Sequence, residues 1–356
     1  MRLNYQNQIG SSGMTDVLVI GGGIIGLATA IALSQKGASV TVVERDVCGQ
    51  GATWAAAGML APEAERLEGA LLEFGIRSRE MYPQWIANLM RLSGQDCGYW
   101  CCGIVAPILS SSSEGDRLAL SQHPKYINGA ESNKRQSGLG ESVLGSLWLP
   151  EEGQVHNRKL AQALLAAALS LSIKIMEGTT VYQIVRGCER VLHLDTSAGK
   201  LQGDRYILAT GAWTKALFPL PVKPIKGQML SVCDRDRKLQ RVIYAPNCYI
   251  VPRHDGTIVI GATVEDTGFT QGNTATGIAQ LLNNAIAVYP AIADMQITET
   301  WWGFRPYAPN EVPILGASDY ENLILATGHY RNGILFAPIT AKLLTDFIVD
   351  GILIKL

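Results

Sequence analysis

The apolar positions change period repeatedly along the chain. Residues 16–20 (DVLVI) form a short apolar run that stops at GGGIIG, residues 21–26, and the pattern then turns helical through LATAIALSQKG, closing at Gly37. A second run, Ser39–Val43, predicts a second strand and ends at Glu44. Strand, glycine turn, helix and strand in that order predict a dinucleotide-binding βαβ unit. Gly21 permits the tight turn, Gly23 lets backbone approach a pyrophosphate, and Gly26 brings helix and strand together. Ile24 and Ile25 open the helix, whose N-terminal N–H groups favour an anion. Glu44 stands 18 positions after Gly26, near the roughly 20-residue offset of a ribose-binding carboxylate. Such a carboxylate accepts from free ribose hydroxyls and repels a 2′-phosphate, which disfavours NADP. A glycine turn alone also joins strands to helices for purely structural reasons.

Further on, a helix over 157–171, a strand over 173–176, a turn over 177–180 and a strand over 205–209 read as more α/β layers. Extended runs dominate residues 225–305, among them QMLSVC, YIVPR, TIVIGATVE and ITETWWGF. With the turn His254-Asp255-Gly256 between two of them, they predict an antiparallel sheet. In 85–150 a strand is expected over 99–109, with loops at SSSSEGD and around 133–140. Near the C-terminus, GHYRNGILFAPITAKLLTDFI reads as a glycine turn feeding a helix.

Length and composition narrow the class. A chain of 356 residues suggests about two domains and a large core. Thirty Lys+Arg face 31 Asp+Glu, with no basic block, so nucleic acid is not an expected partner. Seven scattered cysteines and a polar opening point to a reducing cytoplasm. The Cys97–Cys102 cluster lacks paired zinc spacing, and no metal is expected there. No run of 18 apolar residues occurs; Gln162, Ser170 and Ser172 interrupt the most apolar helical stretch, so no membrane association is expected. Residues 1–13 carry no periodicity and are expected to be a disordered extension.

After the second strand, residues 48–63 (CGQGATWAAAGMLAPE) are small enough to lie flat against a large planar ligand, and taken alone they equally suit an ordinary tight loop. GGGIIG, the pair Glu44-Arg45, ATWAAAGML, LATGAWT and GHYRNG recur in this order in a known family. The chain resembles the D-amino acid oxidase superfamily. Within it, PIKGQML, NCYIVPR, VIGATVE and GFRP are most similar to the glycine oxidases of thiamine biosynthesis, over about 16–350. The resemblance implies an α/β fold in which a Rossmann-type FAD domain (14–84, 151–222 and 303–356) joins an α+β substrate domain (85–150 and 223–302) with a mostly antiparallel sheet. It implies noncovalent FAD, with Glu44 and Arg45 at the adenosine and Val181 at the adenine. Thr53, Ala55, Ala56, Ala57, Gly58 and Met59 would lie near the pyrophosphate and flavin. Thr210, Gly211, Trp213 and Gly303 would complete the cofactor site, together with His329, Tyr330, Arg331, Asn332, Gly333 and Ile334 at the flavin's pyrimidine edge. A helix N-terminus there stabilises negative charge on a reduced flavin.

An amino-acid carboxylate calls for a permanently charged, bidentate partner. By resemblance Arg305 is that partner and Tyr249 orients the carboxylate; a salt bridge and a core aromatic are the structural alternatives. Arg331 contacts substrate or flavin, or only pins its loop. Met59 and Val264 fall near the pocket, with Trp301 and Trp302 as walls. His329 is expected to be structural, because a neutral bound amine needs no protein base for Cα–H hydride transfer. The implied reaction oxidises a small amine with molecular oxygen, giving an imine and hydrogen peroxide, in a homo-oligomer, by resemblance a tetramer. A sarcosine or D-amino acid oxidase, a carrier-linked dehydrogenase and a non-catalytic flavin subunit are the competing expectations.

Overall fold

The computed structural model describes residues 16–354. The expected N-terminal extension lies outside the described residues. A six-stranded sheet runs in the order Ile314–Ala317, Leu323–Thr327, Arg205–Leu208, Asp16–Ile20, Ser39–Val43, Lys174–Met176. All its pairings are parallel except the one at the Ile314–Ala317 edge. Strands buried on both faces read as continuous apolar runs, and Val17, Val19, Ile207 and Val42 are fully enclosed. The helices Ile24–Gln35, Gly69–Ser93, Asn157–Ser170 and Gly333–Asp350 share one hydrophobic core with it.

The glycine turn is packed as its spacing predicts. Gly21 has φ +109°, and a Cβ on Gly26 would meet the Gly21 carbonyl oxygen at 1.9 Å. Only two glycines allow the helix to come this close to its strand.

The second sheet has eight strands in the order Gln296–Tyr307, Lys223–Cys233, Thr257–Gly261, Cys248–Pro252, Val242–Ala245, Ile104–Leu109, Val143–Leu149, Tyr126–Asn128. It is antiparallel apart from one parallel pair, Val242–Ala245 with Ile104–Leu109. The helix Ala275–Val288 covers one face and shares its apolar cluster. A small antiparallel sheet of Val181–Arg186, Val191–Thr196 and Gly199–Leu201 stands beside the first sheet.

Several local expectations need correction. The strand expected over 99–109 is regular only from Ile104; before it, Trp100 makes a single bridge to Gln154. The loop expected at SSSSEGD opens a helix, Glu114–Ser121, because the Ser113 hydroxyl accepts from the Asp116 N–H at 3.1 Å. The stretch around residue 133 ends another, Gly129–Arg135, capped by Asn128. The boundary expected at 84/85 falls inside the helix Gly69–Ser93, whose buried Phe74, Tyr82, Ile86 and Leu89 all join the first core. The boundary at 302/303 likewise cuts the continuous strand Gln296–Tyr307. Amphipathic periodicity does not stop where a domain is expected to, and the long helix docks through its entire length.

Candidate active site

A cleft of about 780 Å³ lies where the two sheets meet. Its first-sheet side consists of the residues that follow the parallel strands: Gly21 after Ile20, Glu44 after Val43, Ala209 and Thr210 after Leu208, and His329 beyond Thr327. This is the carboxyl end of the strands, where open α/β sheets bind ligands. Of the residues named from the sequence as cofactor or substrate contacts, all line this cleft except Gly26, which sits behind Gly21.

The geometry fits a dinucleotide. A Cβ on Gly23 would meet Thr53 Oγ1 at 3.6 Å, an ordinary contact, and Gly23 itself lines the cleft. The Ile24 N–H donates to Thr53 Oγ1 at 3.0 Å, which ties the 52–59 loop to the helix start. Glu44 accepts from the Gly22 N–H at 2.7 Å and from the Asp46 N–H at 2.9 Å. Each carboxylate oxygen thus keeps a lone pair for a hydroxyl of the ligand. Arg45 lies over the Trp213 ring at 4.6 Å, and Phe269 stacks on the same tryptophan at 5.3 Å between centroids. Val181 lines the cleft beside Thr180 and Tyr182.

At the other end the second sheet supplies Tyr249, Met229, Gly227 and Arg305. Tyr249 pairs with Gly261 on the next strand, and a Cβ on Gly261 would meet the Tyr249 ring at 2.5 Å. The ring therefore lies flat across that glycine. Burial pushes the Tyr249 phenol up, against the opposing pull of Arg305 and Arg331, so it remains a neutral donor. Arg305 Nη1 donates to the Thr263 carbonyl at 3.1 Å and weakly to the Lys226 carbonyl at 3.4 Å. It has no carboxylate partner among the described residues.

Arg331 differs. Its Nε lies 2.8 Å from Glu65 Oε2, and Nη2 reaches Glu65 Oε1 at 3.4 Å and Tyr244 Oη at 3.2 Å. Burial opposes the Arg331 charge, but the Glu65 carboxylate more than offsets it and holds the guanidinium above its ordinary range. His329 is fully enclosed against Thr340 Oγ1 at 3.2 Å, and burial lowers its pKa to about 3. It is neutral, and although it borders the cleft its Nε2 is taken up by Thr340.

Two residues expected at the pocket, Val264 near it and Trp301 as a wall, are displaced. Val264 is 56% exposed and does not line the cleft. Trp301 lies beneath the 52–59 loop, its Nε1–H donating to the Ala55 carbonyl at 3.0 Å, while Trp302 alone stays at the cleft. Alternation along a strand sends neighbouring tryptophans to opposite faces.

Sequence reasoning passed over three groups. Glu65 is the Arg331 partner. Gly227 and Gly261 make room for Arg305 and Tyr249; both stand in the quoted motifs PIKGQML and VIGATVE, where a glycine inside a strand signals close approach. Arg253, in NCYIVPR, is buried, with Nη2 on the Ala57 carbonyl at 2.7 Å and Asn157 Oδ1 at 3.1 Å, and Nη1 on Gln154 and the Val155 carbonyl. Asn157 in turn donates to the Thr53 and Trp54 carbonyls, so this pair fastens the loop that faces the cleft.

Fold and cleft together define a two-sheet, dinucleotide-binding oxidoreductase architecture. The chain belongs to the DAO family of FAD dependent oxidoreductases, whose model matches residues 16–347. Its cofactor is FAD. Among relatives, it is 49% identical over 344 residues to a bifunctional protein ThiO/ThiG of Trichormus variabilis, covering 94% of this chain and 53% of that one. It is 34% identical over 341 residues to a glycine oxidase of Pseudomonas aeruginosa, covering 93% of each. A glycine oxidase structure from Geobacillus kaustophilus superposes with a TM-score of 0.89 at 31% identity, covering 95% of each chain. The chain thus spans about half the length of the bifunctional relatives and nearly all of the single-function ones.

Proposed function

We propose that this chain oxidises glycine and similarly small amines, such as sarcosine and small D-amino acids, with molecular oxygen as acceptor. The observation that carries this reading is the Arg305 guanidinium, free of any carboxylate among the described residues and set beside the Tyr249 hydroxyl at the end of the dinucleotide cleft. In it, Arg305 holds the substrate carboxylate and the Tyr249 hydroxyl donates to it, which fixes the direction of the Cα–H bond. Met59 and Met229 close the space around a short side chain. The cleft residues from Gly21 to Glu44 and from His329 to Ile334 would hold FAD, which would supply the hydride acceptor for Cα and the route for electrons to oxygen. The chain supplies position, since neutral His329 is tied to Thr340 and no protein base is needed for a bound neutral amine. The imine product hydrolyses to an oxo acid and ammonia. The similarity to a ThiO/ThiG protein supports a place in thiamine synthesis, where the imine would pass to thiazole assembly.

The same reading divides the chain into a flavin-holding part around the parallel sheet and a substrate-holding part around the antiparallel one. Homo-oligomeric assembly belongs to it too, supported by the long edge strand Gln296–Tyr307 with exposed Ile297. So does a cytoplasmic location; among the described residues no helix is long and apolar enough to cross a membrane. The test is oxygen uptake and peroxide release by the FAD-loaded protein with glycine, sarcosine, D-alanine and D-proline. Stoichiometric peroxide with glycine supports the reading; no uptake with any of the four removes it.

A further inference from the structure

The cleft brings two guanidinium groups to its substrate end, yet a small amino acid offers one carboxylate. We infer that Glu65 sets the charge selectivity of this site: by neutralising Arg331 it leaves Arg305 as the single available cation, so that the cleft accepts monocarboxylates and rejects dicarboxylates. The inference rests on the small-amine reading and deepens it.

The charges can be summed group by group. Arg331 and Glu65 form a two-point ion pair, with side-chain exposures of 23% and 9%, and the low exposure of the carboxylate strengthens its field on its partner. Tyr244, Tyr249 and Tyr330 all have phenols pushed up by burial and count as neutral. His329 is neutral as well. Arg45 and Asp46 pair with each other at 2.9 Å. Glu44 follows the strand Ser39–Val43, three positions across the sheet from Leu323–Thr327, roughly 14 Å at the usual strand spacing. Lys226, whose carbonyl Arg305 touches, is paired with Glu265 at 3.3 Å. At the substrate end this leaves Arg305 as the one cation without a carboxylate partner among the described residues.

Glu65 is also held in place. It rides on the turn after Leu60, and Glu152 clamps that turn by accepting from the Glu63 N–H at 2.6 Å and the Ala64 N–H at 3.2 Å. A second carboxylate entering beside Arg331 would have to displace Glu65 or lie against it, and an unpaired like charge beside a largely buried carboxylate is a strong means of rejection.

The test uses two inert ligands that share a skeleton, methoxyacetate and oxydiacetate, titrated into the FAD-loaded protein and followed by the flavin absorption band. Wild type is expected to bind methoxyacetate at least about tenfold more tightly than oxydiacetate. Glu65→Gln, which keeps an acceptor but removes the charge and so uncovers a second cation, is expected to tighten oxydiacetate more than methoxyacetate and thereby erase or reverse that ratio. A ratio in Glu65→Gln that stays at the wild-type value, or a wild type that does not discriminate, overturns the inference. Should Glu65→Gln fail to retain FAD, Arg331→Gln supplies the opposite arm. It leaves one cation and one anion, and both ligands should weaken by at least about tenfold, with unchanged binding contradicting the inference. Neither ligand is turned over, so the ratio reads charge selection whether or not glycine is oxidised; a wild type that binds neither ligand would remove the small-carboxylate reading and this inference with it.

Discussion

The Arg305 guanidinium lies across the face of Gly227, where a Cβ would stand 2.5 Å from both Nη1 and Nη2 and 2.6 Å from Cζ. The two residues are on adjacent strands, with Gly227 opposite Gly303 and Arg305 opposite Ile225. The clash would fall on the far end of a flexible side chain and not on backbone, so the guanidinium would move and the sheet would not. Gly227→Ala is therefore expected to raise KM for the amine by about tenfold or more, with FAD content and Tm near wild type. Steady-state kinetics beside flavin content checks this, and an unaltered KM would show that the observed Arg305 position is not the working one.

Removing Arg305 itself has a larger consequence. Arg305→Ala leaves the substrate carboxylate buried without a partner, a loss of about 3 to 5 kcal/mol expressed in kcat/KM. Arg305→Lys keeps the charge but not the planar fork, and should recover only part of it. Near-normal turnover by the alanine variant would remove Arg305 from the site.

Glu44 and Arg253 affect the cofactor by different routes. Glu44→Ala removes an acceptor for the ligand and also strips the Gly22 and Asp46 N–H groups of theirs, so FAD should dissociate about tenfold more readily with the fold intact. Arg253→Met strands the Ala57 and Val155 carbonyls inside the protein and is expected to cost about 2 to 4 kcal/mol of stability along with flavin affinity. Flavin fluorescence on dilution, paired with thermal melts, separates the two. Equal melting losses in both variants would contradict the distinction.

Burial lowers the His329 pKa from 6.5 to about 3. The unfolded chain therefore binds a proton below pH 6.5 that the folded one refuses, and the stabilising contribution present above 6.5 is lost as pH falls toward 3. His329→Asn should flatten the decline in Tm between pH 6.5 and 4. The pH profile of kcat/KM should show no histidine ionisation assignable to His329; a limb near 6.5 that disappears in the variant would place that side chain in the chemistry.

The βαβ opening was legible because its constraints are local: the glycine spacing, one helix and one carboxylate at a fixed offset. The small-residue loop at 52–59 and the motifs around Arg305 and Arg331 were legible only through resemblance, since their partners lie far away in the chain. Nothing near Arg331 in sequence announces Glu65, 266 positions earlier, and Arg253 looks like the polar end of a strand until Ala57 and Asn157 are folded over it. The helices at 114–121 and 129–135 were missed because serine and asparagine caps read as loop composition until the following N–H groups are seen to use them. Trp301 and Trp302 show the same limit. The pattern fixes that they face opposite ways but not which one meets the cleft.

The most direct measurement is the visible spectrum of the FAD-loaded protein under anaerobic conditions as glycine is added, compared with Arg305→Ala. The account predicts that glycine bleaches the wild-type flavin in a single turnover and that admitted oxygen restores it, while the variant bleaches far more slowly at the same concentration. A wild-type flavin that stays oxidised, or equal bleaching rates in the two proteins, would contradict it.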